Sequence, residues 1–453
     1  MGGNGSRLKI RELILLLVVS LVLISACDTS KDEQHDLEHP DEKLIAEKLV
    51  IWWDEGIPHR LFAADAIEPR YANTQFEFKQ YYPPPPQGLI PPSYTLPNLL
   101  KMMRSDPSPD LIVFDTRFLS LMIEAEYLDP IPDTYGLEID YDIITELRSI
   151  APDLELYALP FGRIAEGLFY NKAIFDEMQI PYPTDGITWD EVMELASALK
   201  RDQKNQIGIT AYDSMASQLS LQLYDSETLQ FDFDSNEWKE LTRILLKMND
   251  FEEHSGEMGG FLMSSFSAGN TAMVVGPVYG SKEVRPGLLN YESNLRLFDV
   301  EWDIVTFPVF DDGQRLQPAS QLLGIAVPAQ SRNKEDAYKV MRYLLSHEVQ
   351  SANSQKGLVS LRSDGDEFGH PFGASSLLAG KSVTSLLSDT PRGIRRPVFE
   401  FINYMNYGLL QMVTHDDYWR DTIVDIKQDD FIQDIPRLMD EREQFIEEMR
   451  SKY

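Results

Sequence analysis

Residues 49–53 read Leu49-Val50-Ile51-Trp52-Trp53, an uninterrupted apolar run of β-branched and aromatic side chains. A continuous run of this length predicts a strand that is buried on both faces, as in a sheet covered by helices. Apolar residues at helical spacing follow over 61–67, and Phe76-Glu77-Phe78 then alternates as a strand does. The segment therefore predicts a strand–helix–strand unit.

Strands and helices continue to alternate beyond this unit. Further strand-like apolar runs occupy residues 110–115, 271–275, 304–307 and 322–327. Helical patterns occupy 96–103, a segment after Thr188 and Glu191, which form a capping box, and a segment that Asn333 is placed to cap. This alternation predicts α/β lobes with largely parallel sheets.

Length and charge limit the class of protein. The chain has 453 residues, of which 43% are hydrophobic and 25% charged, an ordinary globular composition. At about 100–200 residues per domain, this length predicts two or three domains. Asp and Glu number 73 against 41 Lys and Arg, a net charge of −32. A nucleic-acid partner is not expected, because binding to phosphates depends on Lys and Arg.

Common catalytic motifs are absent from the sequence. The seven histidines are scattered, and there is no HExxH, phosphate-loop, GxGxxG or GxSxG pattern. We therefore expect no metal, no cofactor and no catalytic residue. A glycosidase that uses two carboxylates stays open as an alternative, because a chain with 73 acidic residues always offers some pair.

The first 26 residues predict a signal peptide. Arg7, Lys9 and Arg11 precede an apolar run over 13–24, which is shorter than the roughly 20 residues that span a bilayer. The run ends in Ile24-Ser25-Ala26-Cys27, which resembles the bacterial lipobox, so Cys27 is the expected lipidation site. The alternative is a cleaved soluble signal with an incidental cysteine.

Residues 27–46 predict a lipid-anchored flexible tether, because they are highly charged and contain few apolar side chains. The anchor on Cys27 would hold the protein at the extracytoplasmic face of the bacterial cell membrane.

Four collinear segments resemble one family. The first runs from Tyr157-Ala158-Leu159-Pro160 through Tyr170-Asn171-Lys172 to Thr188-Trp189 and Glu191. The others are Phe266 to Met273, Trp302-Asp303-Ile304 with Phe307-Pro308, and Gly324 to Ala337. Together they resemble the extracellular solute-binding proteins of family 1, the maltose-binding-protein-like lipoproteins that serve ABC importers. The resemblance extends over residues 47 to about 360.

The resemblance implies a two-lobed α/β fold of the periplasmic-binding-protein type II, with discontinuous lobes joined by a hinge. Lobe 1 would comprise residues 47–158 and 309–352, and lobe 2 residues 159–308 and 353–453. The implied function is non-catalytic capture of a carbohydrate, most simply an oligosaccharide, by a monomer that delivers it to the membrane subunits of an ABC importer. A secreted polysaccharide-degrading enzyme and a ligand-sensing lipoprotein are the alternatives.

Candidate ligand contacts lie where predicted strands end, because ligands of open α/β sheets bind outside the carboxyl ends of strands. Aromatic faces pack on sugar rings and carboxylates accept hydrogen bonds from hydroxyl groups. Trp52 and Trp53 should point to opposite faces of a strand, so one of them is expected in the core. Asp115 has an alternative role as a cap of the following turn. The candidates at strand ends are Trp52, Trp53, Asp54, Glu55 and Asp115.

The resemblance implies further contacts from lobe 2. Arg163 and Glu166 fall near a ligand-contacting loop of the maltose-binding relatives, where Ile164 replaces a glutamate of those relatives. A surface salt bridge is the alternative role of Arg163 and Glu166. Tyr279 falls where the relatives carry a tryptophan that stacks on sugar.

Overall fold

The structure, a computed structural model, describes most of the chain from residue 43 onward. The described residues are 43–53, 60–79, 95–131, 136–199, 206–209, 212–219, 221, 224–225, 230–231, 235–249, 266, 269–278, 300–311, 321–376, 378–383, 385–388, 440 and 442–452. Contacts separate residues 1–45 from residues 46–453, and all elements below belong to the second unit. The predicted signal peptide, Cys27 and the tether up to residue 42 lie outside the described residues.

Strands and helices alternate, as the sequence predicts. The strands are β1 Lys48–Trp53, β2 Gln75–Lys79, β3 Leu111–Asp115, β4 Leu159–Asn171, β5 Gln206–Ile209, β6 Tyr224–Asp225, β7 Gln230–Phe231, β8 Thr271–Val278, β9 Trp302–Thr306 and β10 Gln321–Ala326. The helices are α1 Asp65–Arg70, α2 Thr95–Met103, α3 Leu119–Glu124, α4 Tyr141–Ile150, α5 Lys172–Met178, α6 Trp189–Leu199, α7 Tyr212–Gln218, α8 Asn236–Asn249, α9 Lys334–Leu344, α10 His347–Gln355, α11 Ser385–Ser388 and α12, residues 442–452. Within the described ranges, none of these helices is long and apolar enough to cross a membrane.

The predicted strand–helix–strand unit is confirmed. Strand β1 pairs in parallel with β2 and, on its other side, with β3. A π-helical turn, Arg60–Ala64, leads into α1. Phe62 of the turn and Ile67 of α1 are buried. The apolar run of β1 thus lies inside a sheet with neighbours on both sides, which explains its lack of polar positions.

The expectation of largely parallel sheets is wrong. The strand order is β2-β1-β3-β10-β4-β8-β5, with β9 also paired to β4. Strand β10 is antiparallel to both β3 and β4, and β4 is antiparallel to both β8 and β9. The reason is that β10 arrives from the distant end of the sequence and inserts between β3 and β4 in the opposite direction. A local apolar run cannot reveal this direction.

Strand β4 is shared by two parts of this sheet. Its first half, from Leu159 to Ile164, pairs with β10, and its second half, from Ala165 to Asn171, pairs with β8 and β9. The partner changes between two consecutive residues, Ile164 and Ala165. We call the part built on β1, β2, β3 and β10 sheet 1, and the part built on β5, β8 and β9 sheet 2.

Two apolar clusters cover the two faces of sheet 2. One contains Leu168 and Tyr170 of β4 together with residues of α6 and α8, among them Trp189, Val192, Trp238, Leu241 and Leu245. The other contains Ala165 and Phe169 together with Phe266, Trp302, Phe372, Leu378 and Val383. Alternate residues of β4 therefore point into separate cores, as the two-residue period of a strand requires.

The capping box predicted at the start of α6 is confirmed. The backbone N–H of Thr188 donates to a carboxylate oxygen of Glu191 at 2.8 Å, and the N–H of Glu191 donates to the Thr188 hydroxyl oxygen at 3.2 Å. The prediction that the Asn333 side chain caps α9 is wrong. Asn333 precedes α9, but its side chain makes no capping hydrogen bond and instead donates to the buried carboxylate of Asp110 at 3.1 Å.

The C-terminal helix α12 contacts α3 and Arg104, the residue that directly follows α2. The guanidinium of Arg104 donates to Glu448, the guanidinium of Arg442 donates to Glu124, and Phe445 lies beneath the Arg104 guanidinium at 4.7 Å. These partners belong to predicted lobe 1, although the sequence analysis assigned residues 353–453 to lobe 2. Phe372, Leu378 and Val383, by contrast, pack on sheet 2.

Candidate functional site

The carboxyl ends of β1 and β3 lie side by side. The two strands run in parallel, and Trp53 at the end of β1 pairs with Val113 of β3. Asp115 is two residues further along β3, at its last position. Because parallel strands end at the same edge of a sheet, the candidates Trp52, Trp53 and Asp115 share one edge.

Strand β10 brings the same edge next to β4. Its residue Leu323 pairs with Asp115 on one side and with Gly162 on the other. Two strand spacings, about 10 Å, therefore separate the backbones of Asp115 and Gly162. Arg163 follows Gly162 directly, so this edge also holds the point at which β4 passes from sheet 1 to sheet 2.

Both tryptophans of β1 are buried. Trp52 is 3% exposed and Trp53 is 0% exposed, so burial does not single out one of them as the core residue. Trp53 packs edge to face against Phe161 and Phe78, with ring centroids 5.3 and 6.4 Å away. Across the described residues, neither indole Nε1–H has a hydrogen-bond acceptor. Buried N–H groups ordinarily find an acceptor, so these two donors are exceptions to the usual pairing of buried polar groups.

Asp115 caps a short 3₁₀ turn, Thr116–Phe118. One of its carboxylate oxygens accepts a hydrogen bond from the backbone N–H of Arg117 at 3.0 Å, and the other lies 3.2 Å from Arg117 Nε. The capping alternative is therefore confirmed. Because both oxygens have partners, a contact between Asp115 and a ligand stays a prediction that requires the carboxylate to share them.

Arg163 lies in the central part of β4 and is partly buried. Its backbone N–H donates to Val359 at 2.8 Å, and its carbonyl oxygen accepts from Val359 N–H at 2.9 Å. Burial lowers the pKa of the Arg163 guanidinium, and the carboxylate of Asp140 offsets this only in part. Within the described ranges, no hydrogen bond or ion pair of the guanidinium is found, so the salt-bridge alternative finds no support there.

Glu166 belongs to the other side of the junction. It pairs with Pro277 of β8 and is partly buried, whereas Ile164 is buried at 2% exposure. Arg163 and Glu166 thus flank the exchange of pairing partners, one in each half of β4. Their contact with a ligand stays a prediction.

Three candidate residues lie outside the described residues. Asp54 and Glu55 follow β1 in the sequence, and Tyr279 follows β8. Their predicted roles stay predictions. Among the residues that are described, no group of three or more His, Cys, Asp or Glu side chains is arranged to hold a metal ion.

Gln350 of α10 was not predicted from the sequence. Its side-chain amide is buried and donates to the carbonyl oxygens of Phe161 and Leu344. The register between β10 and β4 shifts at this point, since Leu323 pairs with Gly162 but Gly324 pairs with Pro160, which leaves Phe161 as the extra residue. The helix sequence His347–Gln355 is polar apart from Val349 and Ala352, so no apolar pattern distinguishes Gln350.

Solved structures with the same fold define the class of protein. An ABC substrate-binding protein of Listeria monocytogenes in complex with cycloalternan has a TM-score of 0.63 at 14% identity, over 87% of this chain and 100% of that chain. An ABC transporter solute-binding protein of Thermotoga lettingae bound with α-D-tagatose has a TM-score of 0.60 at 17% identity, over 88% of this chain and 100% of that chain. An ABC transporter solute-binding protein of Agrobacterium vitis with bound D-mannitol has a TM-score of 0.60 at 16% identity, over 90% of this chain and 99% of that chain. The fold is therefore the two-lobed α/β fold of solute-binding proteins.

The sequence model for bacterial extracellular solute-binding proteins matches residues 69–351. The chain belongs to this family, which works outside the cytoplasm. A comparison with curated proteins gives no match.

Proposed function

We propose that the protein captures a carbohydrate in a cleft between two lobes and delivers it, chemically unchanged, to the membrane subunits of an ABC importer. The family match and the sugar or sugar-alcohol ligands of the three similar structures support this function. The observation that carries the proposal is the position of the candidate contacts at the edge where β4 passes between sheets. A ligand bound there touches both sheets.

The lobes of this proposal follow the two sheets. Lobe 1 is built on sheet 1 and lobe 2 on sheet 2, with a crossing in β4 at Ile164 and Ala165 rather than near residue 158. Helix α12 then belongs to lobe 1, because Arg442 contacts α3 and Phe445 contacts Arg104. Among the described strands, β4 alone belongs to both sheets. Closure around a ligand therefore requires little rearrangement within either lobe.

A glycan panel tests the binding function. The chain from residue 28 onward is purified and its Tm is measured with neutral and acidic oligosaccharides at millimolar concentration. A ligand at 100 times its Kd stabilises the folded state by about 2.7 kcal/mol, which gives a clear rise in Tm. Products are then examined for new reducing ends. A rise without new reducing ends supports capture, whereas turnover supports the polysaccharide-degrading enzyme.

Single substitutions connect binding to the site. Trp52→Phe and Trp53→Phe keep an aromatic ring and remove the Nε1–H. If the ligand accepts a hydrogen bond from that N–H, binding should weaken by about 1 kcal/mol or somewhat more, which is roughly fivefold to tenfold in affinity. Trp189→Phe is the matched control, because its Nε1–H already donates to Gln218 at 3.1 Å inside lobe 2. The control should lower Tm and leave the affinity unchanged. Equal affinities in all three variants would remove the tryptophan donors from the site.

Lobe closure has its own readout. Small-angle scattering with and without the ligand from the panel should show compaction, because a ligand that contacts both lobes stabilises the closed form. Binding with an unchanged radius of gyration would contradict a site that spans the lobes.

We propose further that Cys27 carries the lipid anchor and that the mature monomer is held at the extracytoplasmic membrane face. Cys27→Ser should release the protein into the medium or leave it unprocessed. Retention and processing like those of the unmodified chain would exclude the anchor.

A further inference from the structure

Arg163 presents a charge that has no direct partner among the described residues. Its side chain is partly buried in the middle of the shared strand, and burial lowers the pKa of the guanidinium. In the described part of the chain, the guanidinium has neither a hydrogen-bond acceptor nor an ion-pair partner. Moving a charged group out of water is costly unless another charge or several hydrogen bonds compensate it.

The nearest compensating charge is already engaged elsewhere. Asp140 influences Arg163 through its charge alone, and its Oδ1 caps α4 by accepting from Asp142 N–H at 2.9 Å and Ile143 N–H at 3.4 Å. Two buried arginines of the described chain are paired: Arg362 donates to Asp364 at 2.7 Å and Arg442 donates to Glu124 at 2.9 Å. Arg163 differs from them by its position at the junction of the two sheets.

We propose that Arg163 is an anion subsite and that the captured carbohydrate is acidic, with a carboxylate such as that of a uronic acid. The inference rests on the proposed binding function and specifies its ligand. The planar guanidinium matches a carboxylate with two parallel hydrogen bonds, an arrangement stronger and more directional than contacts with neutral hydroxyl groups. The ligand carboxylate then supplies the compensation that the described residues do not provide.

Because the net charge of the protein is negative, attraction of anions by the Arg163 guanidinium is confined to ligands that contact it directly. At −32, the chain repels anions at long range, so an acidic sugar gains affinity only from a specific short-range contact.

The first test needs no ligand. Arg163→Met keeps the aliphatic stem and removes the charge, so the free protein should become more stable, with a rise in Tm of roughly 1–2 °C. Arg332→Gln is the control, because it removes the same charge from a side chain that is 80% exposed. A fall in Tm for Arg163→Met beyond that of the control would show that the guanidinium has a structural partner, and would overturn the proposal.

The second test measures ligand preference. Oligogalacturonides and oligoglucuronides of two to four residues are compared with their methyl esters and with neutral oligosaccharides of equal length by calorimetry. The free acids of one series should bind at least tenfold more tightly than their esters. This ratio should fall close to one in Arg163→Met and to an intermediate value in Arg163→Lys, which keeps the charge without the planar fork.

The outcomes separate the two proposals. Tight binding of neutral or esterified sugars, with the acids no better, overturns the acidic ligand and leaves the carbohydrate function intact. A preference for acids that persists in Arg163→Met overturns the role of Arg163. Failure of every member of the broad panel to bind overturns the carbohydrate function itself.

Discussion

The side-chain amide of Gln350 donates a hydrogen bond to the carbonyl oxygen of Phe161 at 3.1 Å, although 189 positions separate the two residues in the sequence. Phe161 is the extra residue in β4 at the register shift, where the ladder to β10 leaves its carbonyl without a regular partner. The same amide donates to Leu344 at 2.9 Å. Helix α10 thus fixes the backbone of the shared strand two residues before Arg163.

Gln350→Leu should lower the stability of the protein. The substitution leaves the carbonyl groups of Phe161 and Leu344 buried without their donor, which costs about 1–3 kcal/mol. The measurement is urea unfolding followed by circular dichroism. Gln330→Leu is the control, since its amide donates to Lys452 at an exposed position and its loss should cost about 0.5 kcal/mol or less. Equal losses in the two variants would contradict a structural role for Gln350.

The capping box of α6 should show energetic coupling. Thr188→Ala and Glu191→Ala should each destabilise by about 1 kcal/mol, since each removes a partner of an N–H group in the first turn. In a double-mutant cycle the two losses should not add, because the residues contact each other at 2.8 and 3.2 Å. Glu194→Ala, on the exposed side of the same helix, serves as the control. Strict additivity would argue against a reciprocal box.

Asp303 should make stability depend on acidity. Burial alone would raise the pKa of its carboxyl group, but hydrogen bonds from Ser382 N–H, Lys172 and Ile304 N–H outweigh it, so the pKa lies below its ordinary value. A lowered native pKa contributes stability that is present above the unfolded value of about 3.9 and is lost as the pH falls through the native value.

Asp303→Asn should therefore be less stable than the unmodified protein at pH 7. Its free energy of unfolding should also fall less between about pH 4 and pH 2. The measurement is the free energy of unfolding against pH. Asp311→Asn, at an exposed position nearby, should leave the profile unchanged. A mutant profile as steep as that of the unmodified protein would assign the acid sensitivity to other carboxylates.

Phe445→Ala should strongly destabilise the protein. The ring is 2% exposed and lies beneath the Arg104 guanidinium, so the substitution removes core packing and a cation–π contact. The expected loss is about 3–5 kcal/mol. Leu387→Ala, at a side chain that is 42% exposed, should cost much less. If Phe445→Ala unfolds like the control, α12 adds little to the stability of its neighbours.

The elements themselves were largely predictable from sequence. The apolar run of β1 and the capping box of α6 depend on residues within a few positions of each other, so local patterns reveal them. Asn333 shows the limit of such patterns. Its position before α9 is that of a cap, but a buried carboxylate from a distant strand, Asp110, competes for its side chain. Tertiary contacts override a local preference when they also satisfy a buried charge.

The candidate site was predictable in part. The ends of apolar runs pointed to Trp53 and Asp115, and the structure places both at one edge. The sequence did not indicate that both tryptophans are buried, that Arg117 occupies the Asp115 carboxylate, or that Gln350 supports the shared strand. Each of these facts depends on contacts across the sheet or on a helix with no apolar pattern.

Composition and local order of residues determined the class of this protein: an acidic α/β chain with the collinear motifs of a solute-binding family. The tertiary structure alone decided that β10 inserts antiparallel between β3 and β4, that β4 serves two sheets, and that Arg163 at their junction has no partner in the described chain. The physical reason is range. Propensity and periodicity act over one turn or one strand, whereas strand direction, burial and charge pairing depend on residues that meet only after the chain has folded.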